Sequence, residues 1–153
     1  MLYLMRQVIV WIGGPIPVKG ARRFHSQNGT GMLLALWFIN SLLALAFLGA
    51  GGMKLLRGKD ALAASGMSYV EDFPAGTVKL IGALEVLGAV GLIVPLLTGI
   101  VPVLTPIAAI GLAIIMIGAV VTHIRRKEPP LFPAILGVLT VASAVLGFIA
   151  VTN

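Results

Sequence analysis

The chain has 153 residues, 59% of them hydrophobic and only 10% charged, with a mean hydropathy of +1.08. Soluble domains are about 45–50% apolar and about 25% charged, so this composition excludes a water-soluble globular protein and marks a one-domain integral membrane protein. The net charge of +6 comes from bases beside hydrophobic segments, where they anchor helices and attract anionic lipid at about 1 kcal/mol each, so no nucleic-acid partner is expected.

Residues 1–31 read as a basic extension. "MLYLMRQVIVWIGG" resembles a signal peptide at first sight, but Arg6 and Gln7 interrupt it. It also lacks a basic n-region and an A-x-A-like cleavage site. Being too short to span, it is expected to lie on the membrane as an amphipathic segment. The stretch "VKGARRFHSQN" would tether it, with Arg22 and Arg23 against the lipid surface.

Four apolar runs follow, at about 32–53, 76–97, 100–122 and 131–151. At about 1.5 Å per residue each crosses a hydrocarbon core of about 30 Å. Backbone polar groups cannot stay unpaired in lipid, so runs of this length become helices. Period-2 alternation is absent, which excludes a transmembrane barrel. The connection "GKDALAASGMSYVEDFP" predicts a short interfacial helix near 60–66, with Tyr69 and Phe73 at headgroup depth. "LLTGIVPVLTP" and "HIRRKEPP" are short, proline-broken links. The expected fold is therefore an all-α, antiparallel up-and-down bundle of four transmembrane helices, residues 32–151, in a multi-pass membrane protein. Bases around loops one and three (Lys54, Arg57, Lys59, Arg125, Arg126, Lys127) outnumber those on the other side, which leans those loops toward the cytoplasm. Arg125, Arg126 and Lys127 read as lipid-surface contacts.

Inside the bundle one carboxylate stands out. Glu85 lies about nine residues into the second helix, roughly 13 Å from its start, where a charge costs about 2.5–3.5 kcal/mol to insert. Lys54 closes the first helix and His123 the third, so in an antiparallel bundle all three fall in one half of the membrane. Asn40, Phe47 and Lys54 are spaced by sevens on one face, and Met116, Ala119 and His123 share another. Gly82, Gly88 and Ala89 flank Glu85 and allow a neighbouring helix to approach closely. The expected interior has Glu85 at its centre, Lys54 and His123 at its mouth, Met116 in the wall and Asn40 deeper on the other side. A bland reading stands beside the functional one: Glu85 paired with Lys54 sets helix register, and Asn40 bonds between helices.

Cysteine is absent, which removes disulfides, thiol catalysis and iron–sulfur ligation. His25 and His123 are far apart without HxxxH or HxxE spacing, so no metal is expected from this chain alone. "FLGAGGMKLL" (47–56), "KLIGALEVLGAVGLIVP" (79–95) and "IAAIGLAIIMIGAVVTHIRRKEP" (107–129) together resemble the DoxX-like family of small four-helix, mostly bacterial membrane proteins. The resemblance covers about residues 33–151 and carries the Gly-x-x-Lys ending at Lys54, the Gly-x-x-Glu ending at Glu85 and the Met-x-x-Ala-x-x-x-His ending at His123. It implies the bacterial cytoplasmic membrane and a likeness to subunits of thiosulfate:quinone oxidoreductase, to redox-linked complexes or to assembly factors. The chain departs from the family in its lack of cysteine, which excludes sulfur redox chemistry on its own side chains, and in its basic N-terminal extension.

The leading expectation is an accessory or binding subunit, not an enzyme by itself. It would dock another membrane protein, a second copy or a lipid-like molecule through the polar interior at Glu85. The next is a quinone-interacting membrane subunit of an oxidoreductase, with quinone as the cofactor. A proton-coupled small-molecule transporter ranks third, because the helices lack paired, interrupted repeats.

Overall fold

The computed structural model describes residues 23–152. Four long helices carry the fold: α1 (Arg23–Leu56), α3 (Ala75–Thr98), α4 (Leu104–Arg125) and α5 (Leu131–Thr152), with the short α2 (Lys59–Ala64) and a 3-10 turn (Ser68–Asp72) between the first two. They pack antiparallel in ring order, α1 on α3, α3 on α4, α4 on α5, and α5 back on α1. Each is long and apolar enough to cross a membrane.

The outside of the bundle explains why water is the wrong solvent. Phe38, Leu87 and Val138 are 67%, 67% and 70% exposed, and each long helix presents a similar apolar row. Contiguous apolar surface on this scale is tolerated only against lipid. The interior interleaves large residues with alanines: Leu43, Ala44, Phe47, Ala89, Leu92, Ala109, Leu112, Met116 and Ala144 form one cluster. Without a hydrophobic force between helices in lipid, close van der Waals packing of this kind supplies the association energy.

Two boundaries differ from the sequence reading. The first helix runs unbroken from Arg23, so residues 23–31 continue α1 rather than standing apart. Residues 1–22, including Arg22 and the expected surface segment, lie outside the described residues. The third transmembrane helix starts at Leu104, not 100. Gly99 closes α3 in the left-handed conformation (φ 68°), its N–H donating to Pro95 O at 3.0 Å, and Val101 also takes positive φ (47°). Two left-handed residues so close to Pro102 spend 100–103 on a turn.

The first connection is folded. The interfacial helix expected near 60–66 is α2, and Leu62, Val70 and Val78 form a second small core against Met53, Met67 and Phe73. Lys59 Nζ holds this loop by donating to Phe73 O (2.7 Å) and Glu71 O (3.3 Å). Lys79 Nζ, reaching back from α3, donates to Leu55 O and to Arg57 O (3.0 Å), satisfying carbonyls at the end of α1.

Candidate functional site

The Gly-x-x-Lys and Gly-x-x-Glu segments meet where α1 crosses α3. A Cβ on Gly51 would stand 2.7 Å from Gly82 O and 3.0 Å from Glu85 Cβ; one on Gly82 would stand 2.8 Å from Lys54 Cβ and 2.9 Å from Gly51 O. The two helices run in opposite directions, so each glycine receives the charged residue of the other helix. Glu85 sits on Gly51, and Lys54 sits on Gly82. Gly88 serves the next interface, where an added Cβ would meet Leu112 Cδ2 at 2.6 Å. Ala89 is buried in the main core.

This seating aims the two charges at each other. Lys54 Nζ donates to both carboxylate oxygens of Glu85 at 2.6 Å, and the residues are 4% and 2% exposed. The pair forms part of the wall of a chamber of about 510 Å³ in the half of the bundle nearest loops one and three. Met116, Ala119 and His123 line it from α4, Phe132 and Leu136 from α5, and Phe47 from α1. The first connection roofs it with Met67, Tyr69 and Phe73. Tyr69 and His123 meet edge to face, ring centroids 5.3 Å apart, and Lys54 Nζ lies 6.0 Å from the Tyr69 centroid. Burial pushes the Tyr69 hydroxyl above its ordinary range, with Lys54 opposing. It is therefore a protonated donor at neutral pH.

Polar contacts join loops one and three at this end of the bundle. His123 Nδ1 is 3.0 Å from Glu128 Oε2, and Glu128 Oε1 accepts from Ser68 Oγ (3.0 Å) and Arg126 Nε (2.8 Å). Arg126 Nη1 donates to Asp72 Oδ1 at 2.6 Å. Loops one and three are thereby strapped together over the chamber. Arg126, grouped by the sequence with the lipid-facing bases, is held by two carboxylates, Glu128 and Asp72, whereas Arg125 and Lys127 are exposed without such partners among the described residues.

The strap has a pH dependence. The Arg126 hydrogen bond, reinforced by Ser68 and His123, holds the Glu128 carboxyl below the usual carboxylate range, with burial opposing. A carboxylate held low contributes stability above its ordinary value and loses it as pH falls through the folded-state pKa. The strap should hold at neutral pH and loosen as pH falls through and below the ordinary carboxylate range. Hydrogen exchange of 66–73, corrected for intrinsic rates, should then rise on acidification. Glu128→Gln should weaken that dependence, leaving the share carried by Asp72; equal protection at both pH values in the unaltered protein would refute it.

Of the residues singled out from the sequence, Glu85, Lys54, His123 and Met116 come together in the chamber wall. Asn40 does not line it. Buried elsewhere in the bundle, its Nδ2 donates to Leu92 O (3.1 Å) and its Oδ1 accepts from Ser143 Oγ (2.5 Å), bridging α1 to α3 and α5. Sequence reasoning missed Tyr69 as a wall residue, and Glu128 and Ser143 altogether. Glu128 had a signal, standing five residues after His123 in a tight link; Tyr69 and Ser143 had none short of the fold. Among the described residues no three His, Cys, Asp or Glu side chains gather as a metal site.

The profile of the DoxX-like family matches residues 38–145, a span that contains every long helix or most of it. The chain belongs to the DoxX-like family. No curated protein and no solved structure matches it. Its four spans make this DoxX-like chain an integral, multi-pass membrane protein.

Proposed function

We propose that this DoxX-like protein is a membrane binding subunit that takes a lipid-like molecule into the chamber beside Glu85. The observation that carries this reading is the chamber's make-up. A charge-neutral buried pair and two ring side chains with polar tips converge on a space otherwise walled, Thr122 apart, by methionine, phenylalanine and aliphatic groups. Ligand sites are typically of about 300–1,000 Å³, mostly apolar, with a few placed polar groups, and this one falls inside that range. Apolar walls would hold an alkyl or ring body, while Tyr69 and His123 would meet its polar end.

The test is chemical. Purified from mild detergent, the protein should carry one co-purifying organic molecule, detected by extraction and mass spectrometry. Ala119→Phe, which fills the chamber from its α4 wall, should abolish it. A lipid profile identical to that of bulk membrane, unchanged by Ala119→Phe, would reject the reading.

A second reading is quinone binding within an oxidoreductase complex. The His123–Glu128 contact favours it, because it links the chamber wall to an ionisable group at the surface. A quinone would supply two-electron carbonyl–hydroxyl chemistry. The chain's own part would be to bind the ring and pass protons at His123, with electrons coming from a partner. If Glu85→Gln and His123→Gln left the quinone-linked activity of such a complex intact, this role would be excluded.

A further inference from the structure

A second hollow, of about 360 Å³, lies on the outer face of the bundle between α4 and α5. Every residue lining it is apolar. Its outer rim, Ile117, Val121, Val138 and Val141, is exposed where lipid would stand. Its inner wall is Met116 and Pro133, and these same two residues line the chamber. Gly137 keeps α5 close at this point, since a Cβ there would lie 3.4 Å from Met116 Cβ. The chamber and the groove thus share two wall residues, one of which, methionine, is unbranched and readily changes rotamer.

We propose that chamber and groove form one continuous site for a neutral, single-chain amphiphile. Its polar head stands beside Lys54–Glu85, and its chain passes Met116 and Pro133 into the α4–α5 groove. This rests on the binding role proposed above and adds the class of ligand. The head is neutral because Lys54 and Glu85 already cancel each other and His123 is engaged with Glu128. An additional ammonium or carboxylate would lack an unpaired counter-ion in the wall. The chain is single because the shared wall is one methionine side chain and one proline ring wide. The route is lateral, because the chamber adjoins the lipid-facing groove at Met116 and Pro133.

Two photoreactive probes test this on the full chain in nanodiscs. One is a monoacylglycerol with a diazirine at mid-chain; the other is a butyl glycerol ether with the diazirine beside the head. The mid-chain probe should mark peptides containing 116–121 and 133–141, and the short probe those containing Tyr69 and His123. Gly137→Leu, which thickens the shared wall, should cut mid-chain labelling about tenfold, the loss expected when roughly two methylenes lose apolar contact. Val141→Trp, on the exposed rim, should do the same without touching the core, so loss of folding cannot mimic the result. Mid-chain adducts spread evenly over the four helices, insensitive to both substitutions, would overturn the groove while short-probe labelling left the chamber reading standing. Protein–protein cross-links across α4–α5 would overturn it too, in favour of a second copy. If the short probe failed to mark the chamber, the binding role itself would fall.

Discussion

Lys54→Met alone should destabilise the bundle by about 3–5 kcal/mol, because it strands the Glu85 carboxylate in a site where the residue is 2% exposed. Glu85→Leu alone should cost a similar amount by orphaning the Lys54 ammonium. The double variant, which replaces the pair with apolar side chains, should recover most of the loss, since such exchanges are often neutral or stabilising. A double-mutant cycle read by unfolding in mixed micelles isolates the coupling. Single variants within about 1 kcal/mol of the parent would show that the charges are not truly buried together. The double variant also separates the two meanings of the pair. If it folds and still retains the co-purifying molecule, Lys54 and Glu85 only set helix register; if it folds and loses it, they belong to the binding site.

Gly51→Ala and Gly82→Ala should each destabilise the α1–α3 contact by about 1–3 kcal/mol, although alanine is the better helix former by about 1 kcal/mol. The clash wins because the added methyl meets a backbone carbonyl oxygen, 2.7 Å away at Gly51 and 2.9 Å at Gly82, and backbone cannot swing aside as a side chain can. Gly49→Ala and Gly52→Ala are the internal controls. Nothing lies within 4 Å of either added Cβ, so those variants should be neutral or slightly stabilised. Thermal unfolding of the four variants decides the matter, and equal midpoints for all four would refute the reciprocal seating. Because moving these backbones apart also separates Lys54 from Glu85, the first two variants should reshape the chamber as well as weaken the fold.

Much of the site could be read from the chain because its governing quantities are one-dimensional. Helix length against bilayer thickness, chain direction and residue depth suffice to put Glu85, Lys54 and His123 in one half of a four-helix bundle. Spacing by sevens put Asn40, Phe47 and Lys54 on one face, and all three are buried. Gly82 reads from the sequence as a packing residue, but its counterpart Gly51 lies in a glycine-rich run where no single position stands out. The start of α4 is not legible in the sequence because the run 100–122 carries no charge, and only Gly99 and Val101 in left-handed conformations reveal the turn.

The sequence by itself determined the environment, the helix count and the half of the membrane that holds the charges, since insertion cost and span length act on each segment independently. Only the tertiary structure decided what the charges meet. Lys54 closes on Glu85 because two glycines let antiparallel backbones approach. Tyr69 enters the wall because a short loop folds its own small core and lies across the bundle end. Arg126 joins two loops because Asp72, far away in sequence, is brought beside it. These are contacts between segments, and no property of a single segment encodes them.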